Sequence, residues 1–289
     1  MVSVSLLGDQ ADLGRGGLPA TANWARVYEY LLGGCDAYEL DREAARAVYQ
    51  TADWIKTAAL INRDYLQGAV EWSLDREVRQ FLDLGCGYPR TVNTYDMTEK
   101  AERGCRVVYV DNDPEVYAHA RCQLDESDDT TVIRADLLAM EQLLNCEPMK
   151  AAFDLDKPVA VLVDDVLPWC TDDTAVQRAM GVLREWMPAG STLSITHLTD
   201  HWHPSTMPAV RAALAAHDLD VRPRSRDEIA ALFGDFVQLG GGLAATGRWH
   251  MQGGYVNHPR EHSAAFAGIA VKQPLPQPAT TFAQSEESQ

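Results

Sequence analysis

The sequence lacks several features that would each identify a class of protein. No uninterrupted apolar run reaches the roughly 18 residues of a membrane-spanning helix, and the N-terminus has neither the basic start nor the cleavage site of a secretory signal. We therefore expect a cytoplasmic protein. No two cysteines stand in CxxC spacing, which disfavours a zinc ribbon and a disulfide framework. The cysteines, which we expect to be reduced, are Cys35, Cys86, Cys105, Cys122, Cys146 and Cys170.

Positive charge is also scarce. The 289 residues include 25 Lys and Arg against 42 Asp and Glu, a formal net charge of −17 that forms no long acidic block. This balance disfavours binding to nucleic acids and to anionic membranes. No internal repeat of fixed period occurs. A small-molecule substrate or a partner protein is the expected ligand.

Composition and apolar spacing divide the chain into four segments. Residues 1–20 are rich in Gly and small polar residues, and residues 273–289 are rich in Pro, Gln and Ser, so we predict a flexible N-terminus and a disordered tail. Residues 21–75 have helical spacing of apolar residues, with a first helix that ends at Gly33-Gly34 and a second that Asp41 caps. Residues 76–272 are predicted to form the ligand-binding domain.

In that domain, short apolar strands alternate with segments of helical composition. This alternation predicts an α/β fold with a mostly parallel, seven-stranded sheet covered by helices on both faces. Two later strand patterns, at 235–245 and 263–273, have no helix between them and predict a C-terminal antiparallel hairpin. The five earlier strands are predicted at Gln80–Leu84, Arg106–Asp111, Thr131–Ala135, Val159–Asp164 and Ser191–Thr196.

The loop after the first of these strands has the sequence "FLDLGCGYPRTVN", residues 81–93. Gly85 and Gly87 allow a ligand to approach the backbone, as in nucleotide-binding loops. Arg90 stands where a dinucleotide fingerprint has its third glycine, which disfavours NAD and its pyrophosphate. A ligand with adenosine but no phosphate, such as S-adenosylmethionine (SAM), fits better, and Asp83 suits its methionine moiety. The alternative is a tight turn that binds nothing.

Acidic residues end the next two strands as well. Asp111 can accept hydrogen bonds from a ribose diol, while Asp113 is expected to cap the following helix with Pro114 in its first turn. Asp136 can accept a hydrogen bond from an adenine amino group while Leu137 packs on the ring. Helix capping is the alternative for Asp111 and Asp136.

Several segments together resemble a family of bacterial SAM-dependent methyltransferases first catalogued as a domain of unknown function. The resemblance covers about residues 22–272 and implies a Rossmann-like class I methyltransferase fold, a helical segment over the crevice and SAM as cofactor. The segments are "ARVYEYLLGGCDAYELDREAA", "NRDYL", "RQFLDLGCGYP", "VVYVDNDPEVYAHAR", "RADL", "SITHLTD" and "RSRDEIAALF".

The resemblance also implies roles for individual residues. Arg26, Tyr28 and Tyr30 belong to the family's N-terminal signature and are expected to close the crevice, although core packing is an equal alternative for Tyr28. The positions that match the cofactor motif are Asp83, Gly85, Gly87, Asp111, Asn112 and Asp136.

The chain departs from the family pattern after the fourth of the five strands. There "VLVDDVLPWC" introduces Asp164 and Asp165 and has Pro168 where a histidine is expected. Asp164, Asp165 and His197 are candidates for a catalytic base or an anchor for a cationic substrate group. Because adjacent residues of an extended chain face opposite ways, only one of the two aspartates is expected to point into the crevice.

No metal is expected, because the spacing of His197 with His201 and His203 matches no metal-binding motif. Trp169, Trp202 and Trp249 are candidates for stacking on a substrate. The cofactor residues and the resemblance together imply methyl transfer to a small molecule in specialised, natural-product metabolism, with a homodimer as a possible assembly. The alternatives are a SAM-binding cyclase or isomerase and a regulatory protein that binds SAM without turnover.

Overall fold

The structure, a computed structural model, describes residues 4–6, 20–101, 104–125, 127–249 and 259–273. The predicted flexible N-terminus and disordered tail lie largely outside these residues. The helices are α1 Trp24–Leu31, α2 Glu39–Thr51, α3 Ile55–Leu74, α4 Thr94–Ala101, α5 Pro114–Gln123, α6 Met140–Leu144, α7 Glu147–Ala152, α8 Asp173–Trp186, α9 Met207–Ala215 and α10 Arg226–Ala231. The strands are β1 Val4–Ser5, β2 Gln80–Leu84, β3 Arg106–Asp111, β4 Thr130–Arg134, β5 Ala160–Asp164, β6 Thr192–Leu198, β7 Val237–Gln238, β8 Ala244–Ala245 and β9 Ala265–Val271.

All these strands belong to one sheet in the order β1-β4-β3-β2-β5-β6-β9-β7, with β8 beside β9. The strands from β1 to β6 pair in parallel, whereas β9 pairs antiparallel with β6, β7 and β8. This arrangement confirms the predicted fold class. The described sheet has two more short strands than the seven predicted. One is β1, which adds an edge beside β4 within the predicted flexible N-terminus.

The central strands are buried on both faces. Every residue of β2 and β6 is buried, and residues 160–163 of β5 are both buried and wholly apolar, as expected for parallel strands that are covered on both faces. The predicted bounds of β2 and β3 are confirmed to the residue, and those of β4, β5 and β6 to within two residues. Because the strands are parallel, their carboxyl ends share one edge of the sheet, where a ligand crevice is expected.

Helices cover both faces of the sheet and form three apolar clusters. The cluster on one face includes α6, α7, α8 and α10, and the cluster on the other includes α3, α4 and α5. The third joins α1, α2 and the start of α3 to α9. Among the described residues, no helix is both long and apolar enough to cross a bilayer.

Asp41 is not the N-cap residue of α2, because the helix begins at Glu39 and Tyr38 is its N-cap; Asp41 instead takes the third helical position of a capping box. The Asp41 carboxylate is fully buried and reaches back over the helix start. It accepts hydrogen bonds from the backbone N–H groups of Tyr38 at 2.9 Å and Asn23 at 2.8 Å, and from Arg26 Nε at 2.7 Å. One carboxylate therefore holds α1 against α2.

A second set of polar contacts ties α1 to α5. Arg26 Nη1 donates to Glu115 Oε2 at 3.0 Å, and Asn23 Nδ2 donates to Asp113 Oδ2 at 2.8 Å. Asp113 also accepts from the first backbone N–H groups of α5, which confirms its predicted role as a helix cap. The N-terminal helices are thus joined to the α/β core through the loop that follows β3.

We expect Asp41→Ala to lower the free energy of unfolding by about 3–5 kcal/mol, because the change removes one of the two carboxylates that pair with the buried Arg26 guanidinium and leaves two backbone N–H groups without their acceptor. The matched control is Glu43→Ala, an exposed position on the same helix. Urea unfolding measures both. A loss for Asp41→Ala no larger than that of the control would contradict this account of α1.

Candidate functional site

A cavity of about 410 Å³ lies at the carboxyl ends of β2, β3, β4 and β5 and is covered by α1 and α3. Its volume falls in the range of roughly 300–1,000 Å³ that small-molecule sites occupy. The predicted cofactor residues that line it are Tyr28, Asp83, Gly85, Gly87, Asp111, Asn112, Asp136 and Leu137. The topology therefore brings most of the predicted cofactor site together.

The glycine loop after β2 needs its two glycines. Gly85 and Gly87 have φ values of 73° and 65°, in the left-handed region that side chains disfavour. A Cβ atom at Gly85 would also overlap the side chain of Val166, whereas the space beside Gly87 is open. The loop thus presents backbone to the cavity, as a close ligand approach requires.

Asp111, at the end of β3, is held by two backbone amides. Gly87 N–H donates to its Oδ2 and Asp113 N–H to its Oδ1, each at 3.0 Å. Burial raises the pKa of Asp111 to about 6 against the effect of these bonds. Because each carboxylate oxygen has a second lone pair, both can still accept a hydrogen bond from a ligand.

Asp136 and Asp83 face the same cavity from the neighbouring strands. Asp136 accepts from Leu138 N–H at 2.9 Å, so it caps a short 3-10 turn and also lines the cavity. Asp83 accepts from Thr94 Oγ1 at 2.6 Å, and burial raises the pKa of its carboxyl. Helix capping and ligand contact are therefore compatible at Asp136.

Asp164, at the end of β5, lines the cavity with a carboxylate whose two oxygens are buried and have no hydrogen-bond partner among the described residues. Burial raises the pKa of Asp164 well above its ordinary value, and the nearby charge of Asp83 adds to the rise, whereas Arg63 opposes it. An unpartnered buried carboxylate is costly, which marks Asp164 as a group that a ligand would complete.

Asp165 lines the cavity too, so the prediction that only one of the pair would do so is wrong. The alternation of side chains requires an extended backbone, whereas Asp165 has a φ of 51°. Its Oδ1 accepts from Leu198 N–H at 3.1 Å. Burial raises the pKa of Asp165 to about 7, which the Leu198 bond partly offsets.

His197 is not in the cavity lining, which corrects its prediction as a catalytic base. It is fully buried, and Arg224 Nη1 donates to its Nε2 at 2.9 Å. The proton must then be on Nδ1, which donates to Leu198 O at 2.7 Å. Burial lowers the pKa of His197 to about 3. The prediction failed because β6 runs two residues further than expected and carries His197 into the core.

Trp169 lines the cavity as predicted and stacks on Trp24 of α1, with ring centroids 3.7 Å apart and planes 22° apart. Its Nε1 donates to Asp165 O at 3.0 Å. The stacked pair joins the N-terminal helix to the loop after β5 and gives the cavity an aromatic wall.

Three other predicted site residues lie outside the cavity lining. Trp202 packs on Phe266 at 4.6 Å between centroids, and Trp249 meets Tyr65 edge-on at 5.7 Å. Arg26 is 4% exposed and its guanidinium is engaged by two carboxylates. All three are packed into the fold, a role that residue type and chain position alone do not distinguish from ligand contact.

Arg63 is a cavity residue that the sequence reasoning missed, although it lies in the quoted "NRDYL" segment. Its Nη2 donates to Val92 O at 2.7 Å. It is the one cationic side chain in the cavity lining that the structure describes. The aspartates that line the same cavity are Asp83, Asp111, Asp113, Asp136, Asp164, Asp165, Asp218 and Asp220.

Asn62, also in "NRDYL", was missed as well. Tyr28 OH donates to Ala59 O at 3.1 Å, and Asn62 Nδ2 donates to the Tyr28 oxygen at 3.2 Å. Because the phenol has a single proton, the Asn62 amide must turn its NH₂ group towards it. Asn62 Oδ1 is thereby left buried and without a partner in the described part of the chain.

Comparison with known proteins identifies relatives over most of the chain. Residues 19–273 match the model of a family described as S-adenosyl methyltransferase. A solved structure from Thermobifida fusca YX, assigned to the methyltransferases, is 30% identical over 88% of this chain and 96% of its own, with a TM-score of 0.81. A DUF574 family protein from Streptomyces avermitilis MA-4680 is 28% identical over 87% and 98%, also with a TM-score of 0.81. No curated protein sequence matches the chain.

We expect Asp164→Asn to stabilise the protein at pH 8. A folded-state pKa above the ordinary 3.8 means that stability is lost as pH rises from about 4 towards the folded pKa. The amide has no such loss, so the variant should melt at least about 2–4 °C higher at pH 8.

The gain should disappear near pH 4, where the carboxyl is protonated in both states. Calorimetric melting across this pH range measures it, with the exposed Asp156→Asn as the control. A variant that melts lower than the wild type at pH 8 would contradict the unpartnered state of Asp164.

Proposed function

Because this chain belongs to the S-adenosyl methyltransferase family and is a SAM-dependent methyltransferase, we propose that it methylates a small-molecule acceptor of specialised metabolism. The observation that carries the proposal is the division of one cavity into two parts. The ends of β2, β3 and β4 supply a glycine loop, Asp111 and Asp136, which suit an adenosine. The end of β5 supplies Asp164 and Asp165, which remain for an acceptor.

The residues of the first part fit SAM. Asp111 offers two oxygens to a ribose diol, while Asp136 and Leu137 suit the amino group and ring of an adenine. The glycine loop leaves room for a ligand without phosphate. The charges also match, because SAM carries a sulfonium, an ammonium and a carboxylate, a net positive charge that the aspartate-rich lining favours.

We assign the cofactor's carboxylate to Arg63. The guanidinium is the cation of the described lining, and it lies close enough to Asp83 to oppose the rise in the pKa of that carboxyl that burial causes. Asp83 lies in β2, the strand that leads into the glycine loop. An arginine beside this loop suits a carboxylate through two parallel hydrogen bonds, with an acidic residue near for the ammonium.

Sheet order supports the site of the acceptor. The adenine, ribose and methionine positions follow β4, β3 and β2, which are consecutive in the sheet. The next strand along this edge is β5. A transferred methyl group would therefore meet an acceptor near Asp164, Asp165 and Trp169. In this proposal, residues 76–272 form the cofactor-binding domain and residues 21–75 form a helical cover over it.

The cofactor, when bound, supplies a methyl carbon that is activated by a sulfonium leaving group. The protein's task is to hold the acceptor in line, to exclude water and to accept a proton. Asp165 suits the last role, since its pKa of about 7 lets it accept a proton at neutral pH. The Leu198 amide and the left-handed backbone fix its position.

Calorimetry should show that the protein binds SAM in the micromolar range and does not bind NAD⁺, because Arg90 occupies the place of the third glycine of a dinucleotide site. S-adenosylhomocysteine (SAH) should accumulate only when an acceptor is present. Binding of NAD⁺ in preference to SAM would contradict the proposal, and so would SAM binding without turnover on any acceptor.

Two variants should distinguish the residues that contact the adenosine part of the cofactor from those that contact its amino-acid part. Arg63→Met should weaken SAH at least tenfold and leave 5′-methylthioadenosine, which has no carboxylate, within twofold. Asp111→Asn should weaken both ligands, by about 1–3 kcal/mol, because both contain the ribose diol.

Arg90→Met is the matched control, since Arg90 lies in the glycine loop but outside the cavity lining, where it donates to Leu32 O. Calorimetry with both ligands gives the affinities. Equal losses of both ligands in Arg63→Met would refute the carboxylate contact.

A further inference from the structure

We infer that the acceptor is an amine, which binds as an ammonium between Asp164, Asp165 and Asn62 beside the aromatic wall. The inference rests on the proposed function and adds the chemical class of the substrate. It follows from the hydrogen-bonding character of the β5 part of the cavity, which is distinct from that of the cofactor part.

Three buried oxygens in this part have no donor among the described residues. They are the two carboxylate oxygens of Asp164 and the amide oxygen of Asn62. Asn62 is 6% exposed, so water has little access to it. Each unpaired buried acceptor destabilises the free protein until a ligand supplies a proton donor.

Two polar groups of the aromatic wall cannot supply those donors. Tyr28 OH donates to Ala59 O, and Trp169 Nε1 donates to Asp165 O. Each of these groups has one proton, which is already used. The donors left in this part are the second N–H of the Asn62 amide and the hydroxyl of Thr196, which lies on β6 in register with Asp164 and has no partner among the described residues. Unpaired acceptor oxygens therefore outnumber free donors here.

The number of orphan acceptors matches an ammonium group. A primary ammonium has three N–H donors, whereas a hydroxyl has one and would leave two of the three oxygens unpaired. The charge of this part of the cavity also favours an ammonium over a hydroxyl, because Asp164 and Asp165 are adjacent buried carboxylates. A neutral alcohol would not compensate them.

The aromatic wall also favours a cation. Trp24, Trp169 and Tyr28 line the cavity on the side of α1 and the β5 loop. Aromatic rings attract ammonium and alkylammonium ions through their π faces. Both the amine substrate and its methylated product carry such a charge, and the rings supply the apolar surface that an amine's carbon skeleton needs.

The reaction balances with the groups present. The bound R–NH₃⁺ gives one proton to the Asp165 carboxylate, and the amine lone pair then forms the N–C bond to the methyl group. The C–S bond breaks and its electron pair goes to sulfur, which leaves SAH. The product is R–NH₂⁺–CH₃, and the proton on Asp165 passes to solvent.

The test uses the full chain saturated with SAH and two matched pairs of probes. Tryptamine is compared with tryptophol, and 2-phenylethylamine with 2-phenylethanol, so that each pair differs only in the amine. We expect at least one amine to bind tenfold or more tightly than its alcohol by calorimetry. With SAM in place of SAH, mass spectrometry should show a single added methyl group on nitrogen.

Asp164→Asn should reduce the preference for the amine at least tenfold and leave SAH affinity within twofold, since Asp164 is assigned to the acceptor. Asn62→Ala, which removes the third acceptor, should reduce it less, because no charge is lost. Asp156→Asn removes an equal charge at an exposed turn before β5, at the other end of that strand from Asp164, and should change neither affinity.

Alcohols that bind as tightly as their amines would overturn the inference, as would methylation of the alcohols alone. It would also be overturned if Asp164→Asn weakened SAH and left the amine preference intact, which would assign Asp164 to the cofactor. A failure of the proposed function is distinguishable, because the wild-type chain would then bind neither SAM nor SAH, or would bind SAM and form no SAH with amine and alcohol alike.

Discussion

The burial of several carboxylates at one edge of a parallel sheet is the constraint on which the site depends. Desolvation raises the pKa of Asp83, Asp111, Asp164 and Asp165, so each must be compensated. Local donors compensate three of them: the Thr94 hydroxyl, two loop amides and the Leu198 amide. Asp164 alone has no such donor among the described residues. The positions of the loops after β2, β3 and β6 follow from these bonds.

The N-terminal helices are part of the same arrangement. α3 contributes Asn62 and Arg63 to the cavity, although both precede β2 and the glycine loop in the sequence. The bonds from α1 to Asp113 and Glu115 connect this cover to the helix that begins beside the ribose position. A shift of α1 would therefore disturb the loop after β3 and the stacked wall together. Buried polar contacts therefore connect the helical cover to the loop after β3.

The sheet was predictable because strands such as β3 and β5 have short apolar runs between segments of helical composition, and Asp113 was predictable because helix caps have local signals. The site residues were harder to predict, because the direction in which a side chain points depends on contacts with residues that are distant in the sequence. His197 is neutral because it is buried beside Arg224, and Asp165 faces the cavity because its own backbone is left-handed. Asn62 and Arg63 lie in α3, where the helical spacing of residues does not distinguish a position in the core from a position in the site. Only the fold brings them to the carboxylates.

The unpartnered carboxylate of Asp164 has a physical rationale only if a ligand completes it. Natural proteins retain destabilising groups chiefly where function needs them, since most other positions tolerate a more stable residue. A valine at this strand end would remove the desolvation cost and preserve the sheet. A cation that enters the cavity recovers the same free energy as binding affinity, because the cost has already been incurred on folding. Asp164 therefore lowers the stability of the free protein, and the same free energy favours the binding of a positively charged acceptor over a neutral one.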